Sequence, residues 1–233
     1  MHRLVAKYAL MLALVVGAPA SLAQDLAPDA LLRAVTVKLI DKITHDSELQ
    51  AADPGRFKTL VENNIVPLFD FVHVTRLAMA RSWRLSTPEQ QTVLIEEFTR
   101  LLVRTYSTAL AQYRGEVVSF KRLRAAPRAT EVTVKSELKQ AGNERMTLDY
   151  YMKNTPAGWK IYDVKVAGVG LVSTYREVFA EKVRDGGVDG LIQFLVERNR
   201  ESGSKFNAVN ASFWEKSRLM YAIFQNILRR GGH

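Results

Sequence analysis

Residues 130–166 read TEVTVKSELKQAGNERMTLDYYMKNTPAGWKIYDVKV, and the spacing of apolar positions in this stretch decides the class of fold. Val132, Val134, Ser136 and Leu138 alternate with Thr133, Lys135 and Glu137; Met146, Leu148, Tyr150 and Met152 alternate with Arg145, Thr147, Asp149 and Tyr151. A period of two belongs to a strand, whose successive side chains point to opposite faces. Ala141-Gly142-Asn143 and Thr155-Pro156-Ala157-Gly158 carry the residues of hairpin turns. The predicted strands are therefore 130–139, 144–153 and 158–166, the last apolar on both faces at its start. A strand over 116–123, connected through Ala126-Pro127-Arg128, makes a four-stranded antiparallel meander. With one face apolar and the other wet, the sheet calls for helices on one side.

Outward from the meander the period becomes helical. Before it, residues 29–44 place Leu31, Leu32, Val35, Leu39, Ile40 and Ile43 on one face. Asp53-Pro54 starts a second helix, with Phe57, Leu60, Val61 and Ile65 as its apolar side, and Pro67 ends or kinks it. A short third helix covers about 71–82. Thr87-Pro88-Glu89-Gln90 is the clearest start signal: Thr87 can cap, Pro88 suits the first turn, and Gln90 can close a capping box. The helix it opens runs to about Arg114 with one wide apolar face. After the meander, Gly168 and Gly170 break the strand, helices follow at about 171–184 and 188–198, and Gly186-Gly187 stands between them. Residues 199–207 read as a linker, and 208–233 hold a basic amphipathic helix with Phe213, Trp214, Met220, Tyr221, Phe224, Ile227 and Leu228 on one face. Docking on the body, a lid, a dimerisation helix and a membrane-surface helix all fit that pattern.

The N-terminus points to export. Arg3 and Lys7 precede an apolar run from Tyr8 to Val16, and Ser21-Leu22-Ala23 suits cleavage before Gln24, the layout of a signal peptide over 1–23. The run is short of the roughly 20 residues that a membrane span needs. The net charge is +9; Arg3 and Lys7 carry two of those charges, so residues 24–233 carry +7. The basic residues are scattered, as on a solvated surface. There is no cysteine, hence no disulfide, no thiol nucleophile and no thiolate metal site.

Signals for catalysis are weak. His2, His45, His73 and His233 form no zinc-binding spacing. No Gly-x-Ser-x-Gly elbow is present, and Glu96-Glu97 reads as the wet face of a helix. Gly168-Val169-Gly170 lies between a strand and a helix, but it lacks the third glycine and the returning strand of a dinucleotide site. A helix N-terminus with free N–H groups can still hold a phosphate, and Arg176 is near in sequence. A glycine turn beside a surface arginine is the plainer reading of the same residues.

Several ordered segments carry a resemblance: Phe69-Asp70-Phe71, Met79-Ala80-Arg81-Ser82-Trp83-Arg84, Ser86-Thr87-Pro88-Glu89-Gln90-Gln91, Phe98, Leu102, Thr105-Tyr106, Trp159 through Val172, Tyr175-Arg176, Phe179 and Gly187 through Ile192. Together, over roughly 29–198, they resemble the MlaC family of toluene-tolerance or auxiliary periplasmic transport proteins. The chain departs from the family pattern at Ala80, where glycine is usual, at Ala167, often acidic, at Gly170, often serine, and in the helix after 199.

The resemblance implies an α+β domain over 24–198 (helical 28–114, sheet 116–166, helical 171–198) whose curved sheet and helices from both ends enclose an apolar cavity. It implies a periplasmic shuttle for glycerophospholipid, with an inner-membrane ABC-type complex and an outer-membrane lipoprotein–porin complex as partners, and neither catalysis, metal nor cofactor beyond the bound lipid. On that basis the expected lipid contacts are Phe98, Leu101, Leu102, Tyr106, Val132, Val134, Met146, Leu148, Tyr150, Tyr162, Val164, Leu171, Val172 and Tyr175, with Gly170 and Arg176 at the headgroup. Periodicity alone leaves these positions open between a filled core and a cavity wall. A carrier of fatty acid or another hydrophobic compound, an enzyme on the same scaffold, and an adaptor docking through its C-terminal helix are the competing readings.

Overall fold

The computed structural model describes residues 26–50, 54–111, 115, 117–126, 128–139 and 145–200. The proposed signal peptide, the Asp53 cap and the helix after 208 lie outside the described residues.

Helix α1 spans Pro28–His45, with Pro28 and Asp29 in its first turn and Lys42 and His45 in its last, as the helix dipole favours. It buries Leu32, Leu39 and Ile43. A single turn, α2 (Ser47–Gln50), leads to α3 (Pro54–Asn64), which buries Phe57, Leu60 and Val61. A 3₁₀ turn, Val66–Leu68, carries Pro67. Helix α4 (Phe71–Met79) is capped by Asp70, whose Oδ1 accepts from His73 N at 2.9 Å. Helix α5 (Pro88–Leu110) opens with the expected capping box: Gln90 N donates to Thr87 Oγ1 at 3.2 Å, and Thr87 N donates to Gln90 Oε1 at 2.9 Å.

The third helix stops at Met79, short of the expected Ser82, because the next residue leaves helical space. Ala80 has φ 49° and ψ −118°, and a 3₁₀ stretch, Ala80–Leu85, follows. Positive φ strains any residue with a Cβ by about 1–3 kcal/mol. Ala80→Gly should therefore raise stability by about 1 kcal/mol. A thermal midpoint that stays level or falls in the variant would contradict that strain.

The sheet is antiparallel in the order β1 (Val117–Phe120), β2 (Glu131–Lys139), β3 (Met146–Thr155), β4 (Gly158–Val166), β5 (Val169–Gly170). It has five strands where the sequence predicts four. Ala167 (φ 43°) and Gly168 (φ 91°) both take positive φ and form a two-residue hairpin turn, so Val169 and Gly170 fold back to pair with Val166 and Lys165. The register confirms the alternation: Val132, Val134, Ser136 and Leu138 lie opposite Met152, Tyr150, Leu148 and Met146. Across β3–β4, Tyr150 faces Val164 and Leu148 faces Val166. Between Tyr151–Asp163 and Met152–Ile161 the register slips, leaving Tyr162 as the extra residue of a bulge.

Helix α6 runs Leu171–Arg200 and is two helical pieces joined at Gly186 and Gly187, whose backbones are non-helical. It continues through Asn199 and Arg200, two residues into the stretch read as linker. Asn199 Nδ2 donates to Glu97 Oε2 (2.7 Å) and Glu97 O (2.9 Å), while Arg104 donates to the carbonyls of Arg198 and Asn199, which fastens the end of α6 to α5.

A domain of this size ordinarily has one contiguous core. Here the buried apolar side chains form three clusters. One joins α4, α5 and α6 around Leu94, Phe98, Phe179 and Leu191; the second joins α1, α2 and α3 to the end of α5; the third joins Leu32 of α1 to Val134, Met152 and Ile161 of the sheet. Helix α5 has α3, α4 and α6 as its main partners, whereas α1, α4 and α6 are the helices that meet the sheet. Half-buried Phe69 touches both the helical and the sheet cluster.

Candidate ligand site

Tyr106 of α5 and Tyr150 of β3 are enclosed by surrounding protein, and burial pushes both phenols above the ordinary tyrosine pKa, helped at Tyr106 by the Asp163 carboxylate. Both side chains nevertheless keep accessible surface. Tyr175, by contrast, is enclosed and 3% exposed: it belongs to packed core.

The sequence-selected residues divide along this line. Phe98, Leu101, Leu102, Val172 and Tyr175 lie together in the α4–α5–α6 cluster, with half-buried Tyr106 and Leu171 packed on its edge. Phe98 is edge-on to Tyr175 and Phe179, with ring centroids 4.7 and 4.8 Å away. Val134 is fully buried in the sheet cluster, and half-buried Val132, Tyr150 and Val164 pack on it. Met146 and Leu148 continue the same face and are also half-buried. Tyr162 stands apart from both groups. The bulge turns it toward Tyr151 and His73, with ring centroids 6.3 and 5.2 Å away, and its hydroxyl donates to Glu131 Oε2 at 3.3 Å.

Gly170 and Arg176 do not converge on a free helix N-terminus. Val172 N donates to Asp163 Oδ1 at 3.0 Å, so a carboxylate already occupies the start of α6. Burial raises the Asp163 pKa, against the lowering effect of the Val172 and Val164 N–H groups and of Lys165 and Arg176. Arg176 Nε donates to Leu77 O at 3.1 Å and ties α6 to α4. A Cβ at Gly170 would stand 3.0 Å from Ser173 Oγ and 3.3 Å from Asp163 Oδ2. A phosphate there would meet Asp163 first.

Two polar features escape pattern reading. Asp163 lies nine residues before its partner Val172, a pairing that only the fold creates. The second joins the start of α4 to β3: Lys153 Nζ sits 2.8 Å from both Asp70 Oδ2 and His73 Nδ1. Burial and then the Lys153 ammonium hold His73 below its ordinary pKa, with Arg76 adding to the effect and Asp70 and Glu131 opposing it. Burial pushes Asp70 up, but Lys153 and the His73 N–H outweigh it and leave Asp70 lowered. In both cases the unfolded chain binds its proton more readily, so stability is present at high pH and lost as pH falls. The His73 share should go first, below the ordinary histidine range of about 6.5, and the Asp70 share below about 4. The thermal midpoint is expected to fall between pH 7.5 and 5.5, and by less in His73→Gln; an equal fall in the two proteins would show that His73 is not responsible.

Among the described residues no group of three His, Asp or Glu side chains is placed to hold a metal ion. No described helix is long and apolar enough to cross a membrane.

Three comparisons bear on this arrangement. The family model described as "MlaC protein" matches residues 33–197. The toluene tolerance protein Ttg2D of Pseudomonas putida is 24% identical over 167 residues, covering 70% of this chain and 75% of that protein. The intermembrane phospholipid transport system binding protein MlaC of Haemophilus influenzae is 21% identical over 171 residues, covering 72% and 80%. Among solved structures, the phospholipid-binding protein from Ralstonia solanacearum, in complex with a phospholipid, superposes with a TM-score of 0.69 at 39% identity, covering 75% of this chain and 97% of that one.

Proposed function

The chain belongs to the MlaC family, and on that premise we propose that it is a carrier that takes the acyl chains of a phospholipid between its sheet and helix α5 and moves the lipid through the periplasm. The observation that carries this reading is the divided core: apolar clusters on α4–α5–α6 and on the sheet, with Tyr106 and Tyr150 enclosed yet accessible. Hydrocarbon burial is worth about 0.8 kcal/mol per methylene, so two ordinary chains need an apolar interior worth on the order of 20 kcal/mol. A shuttle without such an interior stalls at extraction from the membrane. The phospholipid-bound relative from Ralstonia solanacearum, which this chain covers almost completely, supports the same ligand class.

The lining proposed is Tyr106 and Leu171 on the helical side and Val132, Met146, Leu148, Tyr150 and Val164 on the sheet side, with fully buried Val134 among the packed residues. The packed residues Phe98, Leu101, Leu102, Val172 and Tyr175 stand behind it. An inner-membrane ABC-type complex and an outer-membrane lipoprotein–porin complex are the proposed partners between which it moves, and the chemistry is binding without catalysis. Transfer of a fluorescent phospholipid between donor and acceptor vesicles tests the reading. The rate should rise in proportion to protein concentration; no acceleration over vesicles alone would overturn it.

A further inference from the structure

Among the described residues of β2, the row that faces the apolar side carries one polar side chain. Ser136 lies between Phe120 of β1 and Leu148 of β3, is 1% exposed, and its hydroxyl has no hydrogen-bond partner. A buried hydroxyl left unpaired is destabilising, a penalty that valine or alanine at the same place would not incur. Its polar neighbour is the Tyr150 phenol. Tyr150 keeps accessible surface although it lies deep in the protein, and Phe120 stacks on its ring at 6.3 Å. The apolar face of the sheet thus has a phenol beside a buried hydroxyl.

We propose that Ser136 and Tyr150 form an anchor for an acyl-ester carbonyl of the bound lipid. In the loaded protein Ser136 Oγ–H donates to Tyr150 Oη, and Tyr150 Oη–H donates to the carbonyl oxygen. A small shift of the phenol satisfies both hydroxyls at once, and it gives the ester oxygen a partner in place of the water it leaves at the membrane interface. Tyr150 touches the ligand and Ser136 positions it. The inference rests on the carrier reading above and adds a chemical selectivity to it: the pocket distinguishes an ester linkage from an ether of the same length and headgroup.

The test uses vesicles with equal amounts of dipalmitoyl phosphatidylethanolamine and its di-O-hexadecyl ether analogue, incubated with the purified protein, with the captured lipids quantified by mass spectrometry. Wild type should take the ester over the ether by about 5- to 30-fold, the worth of one buried hydrogen bond. Tyr150→Phe, which keeps the ring on Phe120, should bring the ratio close to one. Ser136→Ala should lower the ratio in part and leave the thermal midpoint unchanged or higher, since it removes an unpaired hydroxyl. A wild-type ratio near one, or a preference that survives Tyr150→Phe, overturns the anchor and leaves the carrier standing. Capture of neither lipid by wild type overturns both.

Discussion

Truncating Phe98 to alanine is expected to lower stability by about 3–5 kcal/mol, among the largest effects available to one substitution in this protein. Phe98 is 0% exposed and stands where α5 meets α6, with Tyr175 and Phe179 edge-on to its ring. Loss of the ring leaves a void bounded by Val74 and Leu94 as well as the two aromatics, all in one packed cluster. The edge-to-face pairs add about 0.5–1.5 kcal/mol each to the burial term. The thermal midpoint should fall on the order of 10 °C. A loss below about 1 kcal/mol would show that the neighbours collapse into the space, or that Phe98 faces open chamber rather than packed core.

The second large effect concerns the ligand. Leu148→Glu should leave the protein folded and nearly abolish lipid capture. Leu148 is half-buried in mid-strand, opposite Ser136 on one side and Val166 on the other. In the empty protein a carboxylate on this wall can stay hydrated. With acyl chains in place it loses that water and gains no partner, a cost of several kcal/mol that weakens binding by two orders of magnitude or more. Circular dichroism and size-exclusion behaviour should match wild type while co-purifying phospholipid drops below about a tenth. Retained lipid would place Leu148 away from the acyl chains.

These two residues mark where sequence reading succeeds and where it stops. The alternation in 130–166 gives the strands, their faces and their hairpin partners, because a period of two leaves one pairing that keeps the apolar set together. The Thr87–Gln90 capping box is equally local and forms as read. Phe98 and Tyr106 show the limit. They are eight residues apart, on the same side of α5, yet Phe98 is sealed in packed side chains and Tyr106 retains accessible surface. Periodicity reports which side of a helix faces inward and says nothing about whether that side meets matter or space.

Other departures come from backbone geometry that residue type does not reveal. Ala80 and Ala167 take positive φ without being glycine, which ends one helix early and creates a fifth strand. The bulge at Tyr162 depends on how β4 twists against β3, so a tyrosine that counts as inward by alternation meets His73 and Glu131 instead. Asp163 fills the start of α6 because the β4–β5 turn folds the chain back, a closure that no spacing rule contains. Ser136 was visible as the one polar residue in an apolar row; its lack of a partner becomes apparent only in the folded protein.

The lipid that the purified protein holds tests this account most directly. An organic extract of natively purified protein, with lipid quantified against protein, should contain about one phospholipid per chain, released when the protein is denatured and not by dilution. Purified, folded protein holding no stoichiometric amphiphile, and taking none from vesicles, would contradict a hydrocarbon-filled space between the sheet and α5.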